Sequence, residues 1–465
     1  MDGAKNTTWQ QRYSARYMKT LRCRIEDNPR TMGGVCSAIG QAGANLGAID
    51  LVDPEPRHQV RDISVYLTDT KQLDAILAGL KALGGVEVLQ VRDEILEIHR
   101  RGSIQMHSRV PIRGQTDMRM LYTPGVAQVC EVIQADPRSA WEWTGLCDRI
   151  AIVTNGTAIL GLGDIGPLAG LPVMEGKAAL LAEFVQISGV PILLETKDVD
   201  AFVETVAAIA PSFGAIQLED VAAPSCFEIE DRLKDRLDIP VFHDDQHGTA
   251  TVVLATLINA LKKTGRKAKD CSAIMLGAGA AGLAVTNMLL DYGLGDIVLY
   301  DSTGPIYRGR TANMNPYKEK VAKVTNKGNQ KGPLSEGFKG KDIFIGVSRP
   351  NMVTQAMIRS MARNPIVMPL GNPVGEITTE EALAAGAAIA VDGRDVNNAL
   401  AYPALFRGAL DVRATDITMQ MKVAAAQKIA SLAPEGHLLP DPLDRDIHRQ
   451  VAQAVAAAWK PVLLP

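Results

Sequence analysis

The chain has 465 residues, 46% hydrophobic and 22% charged, which is the profile of a globular protein with two or three cores rather than of a disordered or low-complexity chain. A formal charge of -3 supplies no basic field for nucleic acid, and no run of roughly 18 apolar residues supplies a membrane span. Six cysteines without a C-x-x-C pair argue against a zinc ribbon or redox dithiol, and the opening residues Met1 to Asn6 lack a basic-then-apolar leader, so a cytoplasmic protein is expected.

Between Met18 and Val91 the pattern reads strand, helix, strand, strand, helix, strand. Leu21, Cys23 and Ile25 alternate; Met32, Val35 and Ile39 recur at helical spacing; Ile49 to Val52 and the period-two set Ile63, Val65, Leu67 follow. A helical run from Gln72 to Leu83 and the strand Val86 to Leu89 close a βαββαβ, ferredoxin-like module. With Asn28-Pro29-Arg30 opening the first helix and Gly43-Ala44-Asn45-Leu46-Gly47 expected as the turn after it, this segment resembles an ACT domain. That resemblance implies a regulatory module over residues 1–98, pairing into a homodimer or higher homo-oligomer. It also implies a small effector, such as an amino acid, held near Asn45-Leu46-Gly47 at the paired surface. His99-Arg100-Arg101-Gly102 reads as a solvated linker.

From Asp117 to Val241 helices alternate with short apolar strands, among them Ile150 to Val153, Val190 to Leu194 and Ala215 to Leu218, as in an α/β domain. The expected organisation is a multidomain α/β chain. A catalytic domain over residues 99–247 precedes a Rossmann-type dinucleotide-binding domain over 248–440, opened by a helix from Gly248 to Lys263, and a C-terminal helix over 441–465.

Glu219-Asp220 directly follows one of these strands, and Asp244-Asp245 follows the next, Ile239 to Phe242. Like charges gathered at strand ends repel and resist desolvation, so a fold that collects them there implies a hard divalent cation, Mg2+ or Mn2+. His243 and His247 have the i, i+4 spacing of zinc ligands, but the neighbouring carboxylates make a structural role the expectation.

Gly277-Ala278-Gly279-Ala280-Ala281-Gly282 comes straight after the apolar run Cys271 to Leu276 and leads into a helix. Gly277, Gly279 and Gly282 permit the tight turn, close pyrophosphate approach and helix packing of a dinucleotide site, with Ala280 and Ala281 at the helix N-terminus. The next strand, Asp296 to Tyr300, ends at Asp301, near the spacing at which an acid accepts a ribose 2′-hydroxyl and repels a 2′-phosphate. NAD is the expected cofactor, with NADP left open by Arg308 and Arg310 just beyond.

Two further segments carry candidate chemistry: Tyr122-Thr123-Pro124-Gly125-Val126-Ala127, whose phenol could project into a cleft, and Pro172-Val173-Met174-Glu175-Gly176-Lys177. Taken with Gly161-Leu162-Gly163-Asp164-Ile165-Gly166, Leu218-Glu219-Asp220-Val221-Ala222-Ala223-Pro224, Val241-Phe242-His243-Asp244-Asp245-Gln246-His247-Gly248 and Phe406-Arg407-Gly408, they resemble the bacterial branch of the malic enzyme family from about Gly102 onward. The resemblance implies oxidative decarboxylation of malate to pyruvate, with Glu219, Asp220 and Asp245 as metal ligands. It implies Lys177 as general base, Tyr122 as general acid and Asp244 as charge partner of the lysine. Asn372 and Asn398 match substrate contacts, and Asn397 a cofactor-side neighbour. A bound cation together with burial is expected to depress the lysine pKa toward neutrality.

Two stretches differ from the family pattern. Gly371-Asn372-Pro373-Val374-Gly375-Glu376 lacks one proline of the usual Ala-Asn-Pro-x-Pro-Glu, and only Asp395 and Val396 separate Gly393-Arg394 from Asn397-Asn398. Two other readings share these residues: a dehydrogenase for a related 2-hydroxy acid, and a nucleotide- and metabolite-sensing protein without chemistry.

Overall fold

A computed structural model describes residues 17–159, 161–372 and 374–460; Met1 to Asn6 and Pro373 of the Gly-Asn-Pro stretch lie outside them. The chain divides into two compact units, Met1–Gln105 and Met106–Pro465. Among the described residues no helix is long and apolar enough to cross a membrane.

The first unit runs β1 (Tyr17–Glu26), α1 (Pro29–Gln41), β2 (Asn45–Pro54), β3 (His58–Leu67), α2 (Lys71–Ala82), β4 (Val86–Asp93). The sheet order is β2-β3-β1-β4 and all three pairings are antiparallel, the ferredoxin-like arrangement. Period-two placement explains the core. Leu21, Cys23 and Ile25 of β1 pair beside Ile63 and its neighbours on β3, and Val35, Ile39, Ile76 and Leu80 of the two helices cover that face. The Asn28 side chain caps α1 by accepting from the Arg30 amide. The expected turn at Gly43 to Gly47 is shorter than read from the sequence. Gly43, at φ +74°, turns the chain, while Asn45, Leu46 and Gly47 already belong to β2, whose register shifts between Leu46 and Ile49.

The second unit carries two sheets, the first wholly parallel and the second parallel but for one edge pairing. The first has the order β6-β5-β7-β8, from β5 (Arg149–Thr154), β6 (Ser188–Leu193), β7 (Ala215–Leu218) and β8 (Val241–His243). Between β5 and β6 runs α3 (Pro167–Val185), which carries Lys177. From β8 the chain enters α4 (Asp244–Thr264) without a break. This helix crosses the expected domain boundary at 247/248 because its buried face is continuous, from Asp244 and Gln246 through Thr251, Leu254 and Leu257 to Leu261.

The second sheet has the order β11-β10-β9-β12-β13-β14, comprising β9 (Ser272–Leu276), β10 (Asp296–Asp301), β11 (Gly304–Pro305), β12 (Ile343–Gly346), β13 (Ile366–Pro369) and β14 (Ile389–Ala390). All pairings are parallel except the β10–β11 hairpin. The first strand therefore sits centrally, with the chain crossing from one side of it to the other, which is the doubly wound order that leaves a crevice at the carboxyl ends of β9 and β12. α5 (Ala280–Asp291) follows β9 and α6 (Tyr402–Asp411) follows β14.

Candidate active site

Strand ends bring the acids together. β7 stops at Leu218, so Glu219 and Asp220 fall just past its carboxyl end, and Asp244 and Asp245 occupy the first turn of α4, where the helix dipole favours negative charge. Glu219, Asp220 and Asp245 each present a carboxylate oxygen within 4.8 Å of the other two. The Asp220 backbone, a non-glycine residue at φ +53°, locks this geometry: its N–H donates to Asp245 Oδ2 at 2.9 Å and its carbonyl accepts from Ala158 N at 3.0 Å. Burial, together with the repulsion of Asp245, Asp244 and Asp220, pushes the Glu219 pKa well above the usual carboxylate range despite the nearby Lys177. Packed oxygen donors whose charges are mutually costly fit a hard divalent ion. Gln217, which lies on the same face of β7 two residues before Glu219, donates to Glu219 Oε2 at 2.8 Å and orients it.

Lys177 reaches this cluster from α3. Its Nζ lies 3.0 Å from Glu219 Oε1 and pairs with Asp244 Oδ2, and the ammonium also sits 4.7 Å above the ring of Tyr402. Asn398 donates to the same Asp244 oxygen at 2.6 Å. The sequence expectation of a depressed lysine pKa is for a site with its cation bound; the protein's own groups act in the other direction. Burial disfavours the ammonium, but Asp244 and Glu219, with help from Tyr402 and Asp245, hold it well above the ordinary value. With several carboxylates around one ammonium, the charge balance keeps the proton.

Neither His243 nor His247 belongs to the carboxylate group that could hold an ion. His247 Nε2 meets Glu230 Oε1 at 2.8 Å and its Nδ1 faces Lys422 at 3.2 Å, with burial lowering its pKa to about 4. His243 is fully buried on β8.

A cleft of about 750 Å³ joins this cluster to the second sheet. Lys177, Glu219, Asp245, Gly279, Ala280, Ala281, Asn372, Asn397 and Asn398 all line it. The glycine turn has the form a phosphate site requires. Gly277 is at φ +112° and Gly279 precedes the first turn of α5. A Cβ on Gly282 would stand 1.8 Å from the Gly277 carbonyl oxygen.

Two expected site residues are placed differently. Tyr122 is 70% exposed at the end of the helix Gln115–Leu121 and does not line the cleft of its own chain. Asp301 does not face the cleft with free lone pairs. Arg310 donates to both its oxygens at 2.7 Å, Lys318 to Oδ2 at 2.7 Å, Asn313 to Oδ2 at 3.2 Å and the Thr303 amide to Oδ1 at 2.9 Å. Burial opposes its charge, but Lys318 and Arg310 hold its pKa below the ordinary value. Asp301 is thus outweighed by two cations and cannot be read simply as a repeller of a 2′-phosphate. Arg308 donates to the Lys323 carbonyl instead. Asn397 caps the turn Asn398–Leu400 through the Ala399 amide.

The sequence alone does not single out Gln217 or Tyr402. Gln217 had a signal in its period-two relation to Glu219. Tyr402, 225 positions from Lys177, had none.

Known proteins of the same architecture resemble this one closely. Residues 101–234 match the malic enzyme N-terminal domain and residues 246–395 the malic enzyme NAD binding domain. An NAD-dependent malic enzyme of Geobacillus stearothermophilus is 45% identical, covering 94% of this chain and 94% of the relative. NAD-dependent malic enzyme 1 of Bacillus subtilis is 42% identical over 95% of this chain and 97% of its own. Among solved structures, an NAD-dependent malic enzyme from Thermotoga maritima superposes with a TM-score of 0.76 at 40% identity, over 78% of this chain and 99% of its own. Both domain matches fall in chain order on the two sheets that meet at the cleft, and with 45% identity across 94% of its length the chain belongs to the malic enzyme family.

Proposed function

We propose that the protein oxidatively decarboxylates malate to pyruvate and CO2 with reduction of NAD. The observation that carries this reading is Lys177, half-buried 3.0 Å from Glu219 of a three-carboxylate cluster, on one cleft with Gly279, Ala280 and Ala281 of the glycine turn. A divalent cation, Mg2+ or Mn2+, held by Glu219, Asp220 and Asp245 would offset the carboxylates that keep Lys177 protonated and would stabilise negative charge on the substrate C2 oxygen.

Lys177 would then take the C2 hydroxyl proton, and a nicotinamide held beside the glycine turn would supply the acceptor for the C2 hydride. The resulting β-keto acid loses CO2, its bonding electrons forming an enolate, and protonation at C3 gives pyruvate. Asp244, shared by Lys177 and Asn398, orients the base. Asn372 and Asn398 would contact the substrate and Asn397 the cofactor side, each from the cleft wall.

Tyr122 is assigned as the acid that protonates C3, delivered by a second copy of the chain. Its exposure, beside the exposed Met118, Met120 and Leu121, supports an apolar face that a homodimer would cover. The ferredoxin-like order of the first unit supports an ACT-like regulatory role with a small effector, which titration of amino acids during turnover would test. The names of the relatives support NAD, whereas the charge at Asp301 does not decide against NADP.

The test is an absorbance assay of malate with NAD or NADP, with and without Mn2+, and with pyruvate measured in parallel. NADH and pyruvate should appear together, and only with metal. NADH without pyruvate, or reduction of NAD by tartrate or isocitrate but not malate, would overturn the reading.

A further inference from the structure

Glu376 ends the Gly371-Asn372-Pro373-Val374-Gly375-Glu376 stretch and has no part in the chemistry above. Its side chain is fully buried, and among the described residues it forms no salt bridge. A buried carboxylate without a cation is costly, so its partners must be worth the burial. They are backbone amides: Ser348 N–H donates to Oε1 and Gly371 N–H to Oε2 at 3.3 Å. The main chain of the same segment is also engaged, since Val353 N–H donates to the Glu376 carbonyl at 2.9 Å and Asn351 N–H to that of Gly375 at 3.2 Å.

The two amides lie just past the carboxyl ends of β12 and β13, neighbouring strands on the far side of β9 from the adenosine-side strand β10. In a doubly wound sheet that side of the crossover receives the nicotinamide half of a dinucleotide. Val347, Ser348, Leu370, Gly371 and Asn372 line the cleft there. The space for the carboxylate is built in, because a Cβ on Gly346 would stand 2.4 Å from the Glu376 carboxyl carbon and one on Gly371 would stand 3.0 Å from Oε1.

We propose that Glu376 is a positioning residue for the nicotinamide half of the cofactor: its buried carboxylate ties the Ser348 amide to the Gly371 amide and so holds the two strand-end loops, with Asn372 at the tip of one, in register across the cleft. Neither loop has another side chain spanning the gap among the contacts described above. The adenosine half rests on the glycine turn and α5, on the opposite side of β9, and does not depend on this tie. The inference rests on the dinucleotide reading of the cleft.

The test compares NADH, titrated by its fluorescence, with ADP-ribose, which lacks the nicotinamide, in the full chain. Glu376→Gln keeps the shape but sets an amide N–H against one of the two backbone N–H groups. It should weaken NADH binding by about tenfold or more and leave ADP-ribose within about twofold. Gly346→Ala, whose methyl displaces the carboxylate, should show the same selective loss, and it decides the matter if Glu376→Gln does not fold. Equal weakening of both ligands, or no weakening of NADH, overturns the proposal. If the parent protein itself fails to bind NADH, the dinucleotide reading has failed instead, so the two failures are distinguishable.

Discussion

Asn398 Nδ2 lies 2.6 Å from Asp244 Oδ2, the oxygen that also receives the Lys177 ammonium. The asparagine therefore does more than face substrate, because it shares the load on the one carboxylate that orients the base. Asn398→Ala should lower kcat by about tenfold, the scale of one hydrogen bond to a buried charge. A raised KM for malate with unchanged kcat would mean that Asn398 is a substrate contact only.

Gly248 lies one turn along α4 from Asp244, and a Cβ there would stand 1.9 Å from Asp244 Oδ1. Gly248→Ala should swing that carboxylate away from Lys177 and cost about 10- to 100-fold in kcat, since misplacement by about 1 Å is worth that much. Circular dichroism would confirm an intact fold, and a fully active variant would show that Asp244 has room to adjust.

Gln217 holds Glu219 Oε2 from the adjacent same-face position of β7. Gln217→Leu should weaken Mn2+ binding by about 10- to 100-fold, as loss of a ligand-orienting group does. Calorimetric titration reads this without turnover. Unchanged Mn2+ affinity would remove Gln217 from the metal assignment.

Asp301 neutralises part of a buried cation pair, with Arg310 and Lys318 only 4% and 9% exposed at their side chains. Asp301→Ala removes the carboxylate both share, leaving Arg310 the Ala312, Gly304 and Pro305 carbonyls and Lys318 the Asn313 carbonyl, and should destabilise the second unit by about 3 kcal/mol in urea unfolding. Adding Lys318→Met should recover part of that loss. A single variant as stable as the parent would show that water reaches the two cations.

In the first unit, the Arg22 hydrogen bond, followed by that of Arg92, holds the Asp62 pKa at about 2 against the cost of burial. An unfolded aspartate titrates near ~3.9, so the folded state favours the carboxylate. The stabilisation is complete above about pH 4 and disappears as pH falls through about 2. Asp62→Asn should therefore speed hydrogen exchange of β1 and β3 amides relative to the parent at pH 6, with the ratio falling toward one near pH 2. A ratio independent of pH would mean that the Arg22–Asp62–Arg92 cluster contributes shape and not charge.

The elements of this protein were legible because each is written in residues close together along the chain. Leu21, Cys23 and Ile25 announce a strand, Gly277 to Gly282 a phosphate turn, and Glu219-Asp220 and Asp244-Asp245 announce acids at the ends of two apolar runs. Periodicity, turn chemistry and strand-end placement act over a few positions, so they survive without tertiary information. The start of α4 at Asp244 rather than Gly248 is not legible for the same reason: nothing local distinguishes its first turn from the loop that could have preceded it.

What tertiary structure alone decided is how the charges are shared. Lys177 meets Asp244 across 67 positions, Asn398 reaches the same carboxylate across 154, and the Tyr402 phenol lies against the Lys177 backbone across 225. Against the cost of burial, Asp244 and Glu219 hold the lysine pKa well above its ordinary value. Asp301 was identified as an acid at a strand end, but only folding put Arg310 and Lys318 upon it. Only folding, too, left Tyr122 on the surface of its own chain. Sequence determines which groups exist and on which element each one rides. The protonation state and partners of a buried group depend on every charge within a few ångströms, and those charges come from distant parts of the chain.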